Sequence, residues 1–239
     1  MRNYLYLLVP IITIACSDTA KNNPVSVENP RIRPDFTDAD TWLSTFVATE
    51  EGYDGGSMII VDKELGILHK SAFGDHTENT SVLLASTSKI TTVMLLLALA
   101  EDDTNIDFEM DVPIANYVPW QGVWDDAITT EHLVSHRSGI PGLAHAMANF
   151  PAYMPHGCQW DGAGTLLECG KTIYTTPLPD LPTTPANTTF DYGGSQWQLA
   201  GAVAETVGGA GWNQLWNHYI GEPCGLEVFR YGNQPAAEW

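Results

Sequence analysis

The chain has 239 residues, of which 44% are hydrophobic and 16% are charged, and its 29 acidic and 10 basic residues give a net charge of -19. That hydrophobic content can fill a sizeable core in one large domain or in two lobes, which excludes an intrinsically disordered chain. The negative charge argues against nucleic acid and anionic membrane surfaces as partners, because both attract positively charged proteins.

The first residues predict export. Arg2 precedes an uncharged stretch at 3–15 that is too short to span a membrane, which is typical of a signal peptide at 1–15. The segment Thr13-Ile14-Ala15-Cys16 is similar to a bacterial lipobox, in which the cysteine becomes the lipidated first residue. We therefore expect a periplasmic or cell-envelope lipoprotein in preference to ordinary secretion.

A tether and a small α/β segment are predicted next. Residues 16–37 are polar and contain three prolines, so they predict a tether, and the folded domain is expected at 38–239. Apolar residues at helical spacing predict a helix at 37–51. Two short apolar strands at 58–61 and 66–69, separated by four residues, predict a hairpin.

Ser86 precedes Lys89 by three residues, where a polar stretch gives way to the apolar run 90–100. If a helix begins near Ser86, both side chains share one face and the amine reaches the hydroxyl. A lysine with an ordinary pKa near 10.4 is a poor base, but burial and a helix N-terminus disfavour its charged form. The pair predicts a serine nucleophile with a lysine base, and the alternative is an accidental spacing.

The second half of the chain is predicted to be loop and short helices at 106–153, an extended segment at 177–185, and helices at 195–207 and 212–220.

Cys158 and Cys169 can close a short loop in an oxidising compartment, and such a disulfide stabilises a protein by about 3 kcal/mol. The cysteines lack the spacing of a zinc site. His132 and His136 are four residues apart, which suits a metal, but no glutamate follows His132 as a zinc peptidase requires. A structural helix is therefore favoured there, and no metal site is predicted.

Three stretches carry a resemblance that extends over about residues 38–235. The chain resembles the serine hydrolases of the class C β-lactamase type, a family that also holds esterases and D-alanyl-D-alanine carboxypeptidases. One stretch matches the SxxK box of the family, another is similar to its structural helix-turn, and the last stands where the family carries YxN. In that order, the stretches are Ala85-Ser86-Thr87-Ser88-Lys89, Thr130-Glu131-His132-Leu133-Val134-Ser135-His136-Arg137-Ser138-Gly139-Ile140 and Phe190-Asp191-Tyr192-Gly193-Gly194-Ser195.

The resemblance implies an α/β fold of the β-lactamase/transpeptidase type, with a helical lobe and an antiparallel sheet. It also implies that Tyr192 projects beside Ser86 and Lys89 and passes a proton to the leaving group. The alternative is that Tyr192 is a loop aromatic that packs on the following helix.

Two departures from the family pattern affect these expectations. Gly194 replaces the asparagine of YxN, and Ser195 is the candidate substitute, so both are predicted substrate-binding positions. No KTG-like or HxG segment follows Ser195, so the sheet is expected to be incomplete, without the returning strands and the last helix of the family. One donor of the oxyanion hole normally comes from that missing segment.

The expected function is hydrolysis of a small ester or amide through an acyl-enzyme on Ser86, with no metal or organic cofactor. An esterase ranks above a β-lactamase or a peptidoglycan D,D-peptidase, because Gly194 removes the amide-recognising side chain. A rival of another class is a non-catalytic binding module of the cell envelope that keeps the cleft but not the chemistry. Membrane contact is expected only through lipid on Cys16.

Overall fold

The computed structural model describes residues 34–161, 164–226, 229 and 231. The chain divides into two compact units, here called the hairpin unit (described residues 34–83) and the helical unit (described residues from 84 onward). The predicted signal peptide, the lipid site at Cys16 and most of the predicted tether lie outside the described residues. Within the described ranges, no helix has the length and hydropathy that crossing a bilayer requires.

The hairpin unit consists of one helix and two antiparallel strands. They are α1 (Thr37–Thr49), β1 (Gly55–Asp62) and β2 (Gly66–Gly74). The strand register runs from Gly55 opposite Gly74 to Asp62 opposite Gly66, with one irregularity between Ile60 and Val61. The predicted helix and hairpin are confirmed, and both strands are longer than the apolar pattern indicated.

The two faces of the hairpin differ in what covers them. On one face α1 packs against β2, where Asp40 Oδ1 lies 2.8 Å from His69 Nε2. On β1 and the start of β2, three apolar side chains remain exposed: Ile59 at 58%, Val61 at 63% and Ile67 at 49%. The apolar alternation of these strands therefore yields one covered and one uncovered row.

The helical unit holds the remaining described helices. They are α2 (Ser88–Glu101), α3 (Thr130–Val134), α4 (Leu143–Ala148), α5 (Phe150–Tyr153), α6 (Cys158–Asp161), α7 (Leu166–Thr175), α8 (Gly194–Gly208), α9 (Trp212–Trp216) and α10 (Glu222–Cys224), and a π-helical turn (Asn217–Gly221) joins the last two. The helices predicted at 86–100, 195–207 and 212–220 are confirmed within a few residues. The sequence analysis did not predict α7.

The core of the helical unit forms where α2, α7 and α8 meet. Leu95, Leu96 and Leu99 of α2 are fully buried, and so are Ile173 of α7 and Val203 of α8. Burying such a side chain contributes about 1.5–3 kcal/mol, so these contacts hold α2 firmly against α7 and α8. That rigidity matters because Ser86 lies immediately before α2.

A disulfide between Cys158 and Cys169 joins α6 to α7. The two cysteines are 11 positions apart in the sequence, and they are the pair that the sequence analysis predicted. The described residues thus combine a helical unit with a two-stranded antiparallel sheet.

Candidate active site

Ser86 lies in a single 3-10 turn, Ala85–Thr87, that leads directly into α2. Its side chain is exposed, whereas the helix that follows is anchored in the core. Ala85 adopts a φ of +44°, a region that L-residues seldom occupy and that costs of order 1–3 kcal/mol. The chain therefore holds Ser86 on a tight, strained turn with its hydroxyl in solvent.

Lys89 lies one turn further along, as its spacing from Ser86 predicted. Its Nζ donates a hydrogen bond to Ser86 Oγ at 3.2 Å, and its side chain is half-buried. The sequence analysis anticipated this contact from helical periodicity alone.

Tyr192 completes the group from a distant part of the chain. Its hydroxyl lies 2.5 Å from Ser86 Oγ, although the two residues are 106 positions apart. Lys89 Nζ lies 5.0 Å from the centroid of the Tyr192 ring. Hydrogen bonds from Ser86 and from Lys89 hold the pKa of the Tyr192 phenol below its ordinary value of 10.0. The three predicted groups therefore converge around one oxygen.

The segment that carries Tyr192 is fastened to the turn before α4. Gly142 N–H donates to Asp191 Oδ2 at 2.9 Å, and Leu143 N–H donates to Tyr192 O at 2.6 Å. A side chain at Gly142 would collide with Asp191 Oδ1 and Tyr192 O. Glycine is needed at this position because two backbone segments touch there.

His136 lies beneath Tyr192 and is only 6% exposed. The two ring centroids are 4.5 Å apart, and the backbone carbonyl of His136 accepts the N–H of Asp191 at 2.8 Å. Burial, followed by the charge of Lys89, lowers the pKa of His136 from 6.5 to about 4, against an opposing effect of Asp191. His136 is therefore neutral at physiological pH.

The two histidines that were considered as a metal pair do not share a helix face. Helix α3 ends at Val134, and His136 follows it with a φ of +59°. The ring of His132 instead caps α3, because its Nδ1 accepts the N–H of Thr129 at 3.2 Å. No cluster of metal-ligating side chains occurs among the residues that the structure describes. The predicted helix therefore includes His132 but ends before His136.

Gly194 and Ser195 occupy the first turn of α8, where the serine side chain faces the interior. Ser195 is fully buried, and its hydroxyl lies 2.8 Å from Tyr153 OH and 2.9 Å from Gln159 Nε2. A hydroxyl that is buried and bonded inside the fold cannot reach a substrate. The prediction that Ser195 substitutes for the asparagine of YxN is therefore wrong. A side chain at Gly194 would collide with Gln159 Oε1.

Comparisons with known proteins agree with this geometry. The family model named Beta-lactamase matches residues 41–238, so the chain belongs to the β-lactamase family. A search of curated proteins found no match.

Solved structures with the same fold span several activities. A crystal structure described as a β-lactamase from Bacteroides dorei is 27% identical with a TM-score of 0.65, covering 81% of this chain and 52% of its own. A D-stereospecific amidohydrolase from Streptomyces sp. is 21% identical with a TM-score of 0.59, covering 80% and 54%. An octameric penicillin-binding protein homologue from Pyrococcus abyssi is 22% identical with a TM-score of 0.63, covering 81% and 44%. The chain therefore spans about half the length of these proteins.

Proposed function

We propose that this chain is a serine hydrolase that cleaves an ester or amide through an acyl-enzyme on Ser86. The observation that carries the proposal is the convergence of Lys89 Nζ and Tyr192 OH on Ser86 Oγ, at 3.2 and 2.5 Å. A hydroxyl within hydrogen-bond reach of a phenol and a lysine amine is the arrangement of an activated nucleophile. Membership of the β-lactamase family supports the same reaction class.

The geometry favours Tyr192 over Lys89 as the group that takes the serine proton. The phenol oxygen is nearer to Ser86 Oγ, and its hydrogen bonds with Ser86 and Lys89 hold its pKa below the ordinary value. Lys89 then acts as the cation that stabilises the phenolate. This gives Tyr192 the role of base, which the sequence analysis gave to Lys89, and Tyr192 keeps its predicted role of passing a proton to the leaving group.

The reaction proceeds in two halves. Ser86 Oγ attacks the acyl carbon while its proton moves to the Tyr192 phenolate, and a negative charge develops on the acyl oxygen. The leaving group then departs with the proton held by Tyr192, which leaves an ester on Ser86. Water attacks this ester and gives a proton to Tyr192, and the acid leaves as Tyr192 passes that proton to Ser86 Oγ.

An ester is the preferred substrate class. Gly194 stands where the family carries asparagine and has no side chain, so no amide projects from that position to hold a lactam or peptide. We also propose that the protein acts outside the cytoplasm, as a periplasmic or cell-envelope protein. The Cys158–Cys169 disulfide supports this location because disulfides persist in oxidising compartments.

The test is covalent labelling of the full chain with a fluorophosphonate probe, read by mass spectrometry of the modified peptide. Labelling should occur at Ser86, disappear in Ser86→Ala and slow by about 100-fold or more in Tyr192→Phe. Ser88→Ala is the matched control, because that hydroxyl donates to Ala85 O at 2.6 Å and not to the reacting group. Folded protein that takes no label would favour a non-catalytic binding module instead.

A second assay separates the candidate substrates. Hydrolysis of a short-chain nitrophenyl ester in preference to nitrocefin supports the esterase, and the opposite preference would support a β-lactamase.

A further inference from the structure

Two aromatic rings lie close to the ammonium of Lys89. Its Nζ lies 5.0 Å from the centroid of Tyr192 and 5.5 Å from that of Trp197. Both distances are within the range of about 6 Å in which a ring face attracts a cation. Among the described residues, the ion pairs formed with carboxylates do not include Lys89. The ring faces therefore supply the attraction that a carboxylate supplies for many lysines.

Trp197 is held in this position by a hydrogen bond at its edge. Its indole N–H donates to His136 Nε2 at 3.0 Å, and its ring centroid lies 5.5 Å from the imidazole. Because Trp197 lies in the first turn of α8, its backbone is fixed by the packed core as well. The indole thus has both its position and its plane set by contacts unrelated to Lys89.

His136 connects the two aromatic walls. One ring nitrogen meets the indole N–H of Trp197, the other meets the backbone N–H of Gly193 at 3.2 Å, and the ring packs on Tyr192. A neutral imidazole can accept one of these two N–H groups and a protonated imidazole can accept neither, so these neighbours favour the neutral ring. His136 thereby adds no positive charge beside Lys89.

We propose that Trp197 and His136 are positioning residues for Lys89, with Trp197 as the second wall of an aromatic cage and His136 as the brace that fixes both walls. The proposal rests on the proposed hydrolase function and adds a reason for the position of the Lys89 side chain, which lies close to two aromatic rings. Within the helical unit, Lys89 interacts with the titratable groups of Tyr192 and His136. The charge of Asp191 in turn acts to raise the pKa of His136.

The first test compares Trp197→Leu, which removes the ring, with Trp197→Phe, which keeps a ring face and loses the N–H. The full chain is labelled with a fluorophosphonate across pH 6–10, and the rate of Ser86 modification is plotted against pH. In Trp197→Leu, Ser86 should be labelled about 10-fold more slowly than in wild type. The pH above which the labelling rate declines should be about half a unit lower than in wild type. Trp197→Phe keeps a ring face but loses the hydrogen bond to His136, so its alkaline limit should lie between those of wild type and Trp197→Leu. Trp160→Leu, a tryptophan that contacts Phe150 and Tyr153 instead, is the control.

The second test does not depend on activity. After reductive ¹³C-methylation of the lysines, the Lys89 signal is assigned with Lys89→Arg and followed by NMR as the pH rises. The Lys89 amine should lose its proton at lower pH in Trp197→Leu than in wild type, provided that circular dichroism finds both folded. Equal titrations would overturn the cage even if Ser86 is labelled, and absence of label in wild type would count against the hydrolase and not against the cage.

Discussion

Replacing Gly142 by alanine is expected to separate the two backbone segments that hold Tyr192 in place. Gly142 has a φ of -93°, which alanine adopts without strain, so the effect comes only from the added methyl group. That methyl group would collide with Asp191 Oδ1 and with Tyr192 O. Both are on the segment that must move for alanine to fit.

The size of the effect follows from the contacts that the movement breaks. The hydrogen bond from Gly142 N–H to the Asp191 carboxylate, at 2.9 Å, is of a kind worth about 1.5–3 kcal/mol. Overcrowding of a packed contact costs about 1–3 kcal/mol. The two costs overlap, because relieving the crowding is what breaks the bond, so we expect the free energy of unfolding to fall by about 3 kcal/mol. Movement of the phenol away from Ser86 Oγ should slow labelling of Ser86 by about 100-fold.

Urea unfolding followed by circular dichroism measures the first quantity, and fluorophosphonate labelling of the variant under folded conditions measures the second. Gly211→Ala is the matched control, because its φ is -67° and the nearest atoms to an added methyl group lie at 3.8 and 3.9 Å. If Gly142→Ala unfolds at the wild-type midpoint and labels at the wild-type rate, the two segments are not in contact and this reasoning is wrong.

Three further predictions concern stability. Replacing both Cys158 and Cys169 by serine should lower the free energy of unfolding by about 3 kcal/mol, since the bond closes an 11-residue separation, and an unchanged urea midpoint would contradict this. Burial and donation to Asp102 raise the pKa of Tyr219 from 10.0 to about 12, so its contribution is complete below pH 10 and lost as the pH rises toward 12. Tyr219→Phe should remove that alkaline decline from a plot of unfolding midpoint against pH. Because the pKa of His136 is about 4 when folded and near 6.5 when unfolded, stability should fall from pH 6.5 to 4, and His136→Gln should lessen the fall.

The sequence predicted those contacts of the site that depend only on local helix geometry. Ser86 and Lys89 are neighbours because three residues make nearly one helical turn, and no tertiary contact is needed to bring them together. Tyr192 is 106 residues away from Ser86, so its place came from the family motif and not from periodicity. The helix α7 was missed although Thr165 and Glu168 form a capping box, which is a readable helix start.

Other residues of the site depend on packing that no local pattern reveals. Ser195 points inward because α8 begins at Gly194 and turns its first hydroxyl toward Tyr153. The roles inferred for His136 and Trp197 arise from contacts between segments about 60 residues apart. Histidine and tryptophan near a glycine-rich segment are too common to single out, so only the folded chain distinguishes these two.

The uncovered apolar row of Ile59, Val61 and Ile67 has a practical consequence for handling the purified protein. Copies of the chain repel one another through a net charge of -19, and that repulsion opposes association of the row. Dissolved ions shorten the reach of the repulsion to about 10 Å at 0.1 M. The protein should therefore stay dispersed in dilute buffer and cluster as sodium chloride is added, which light scattering would detect, and enzyme assays belong at the dilute end.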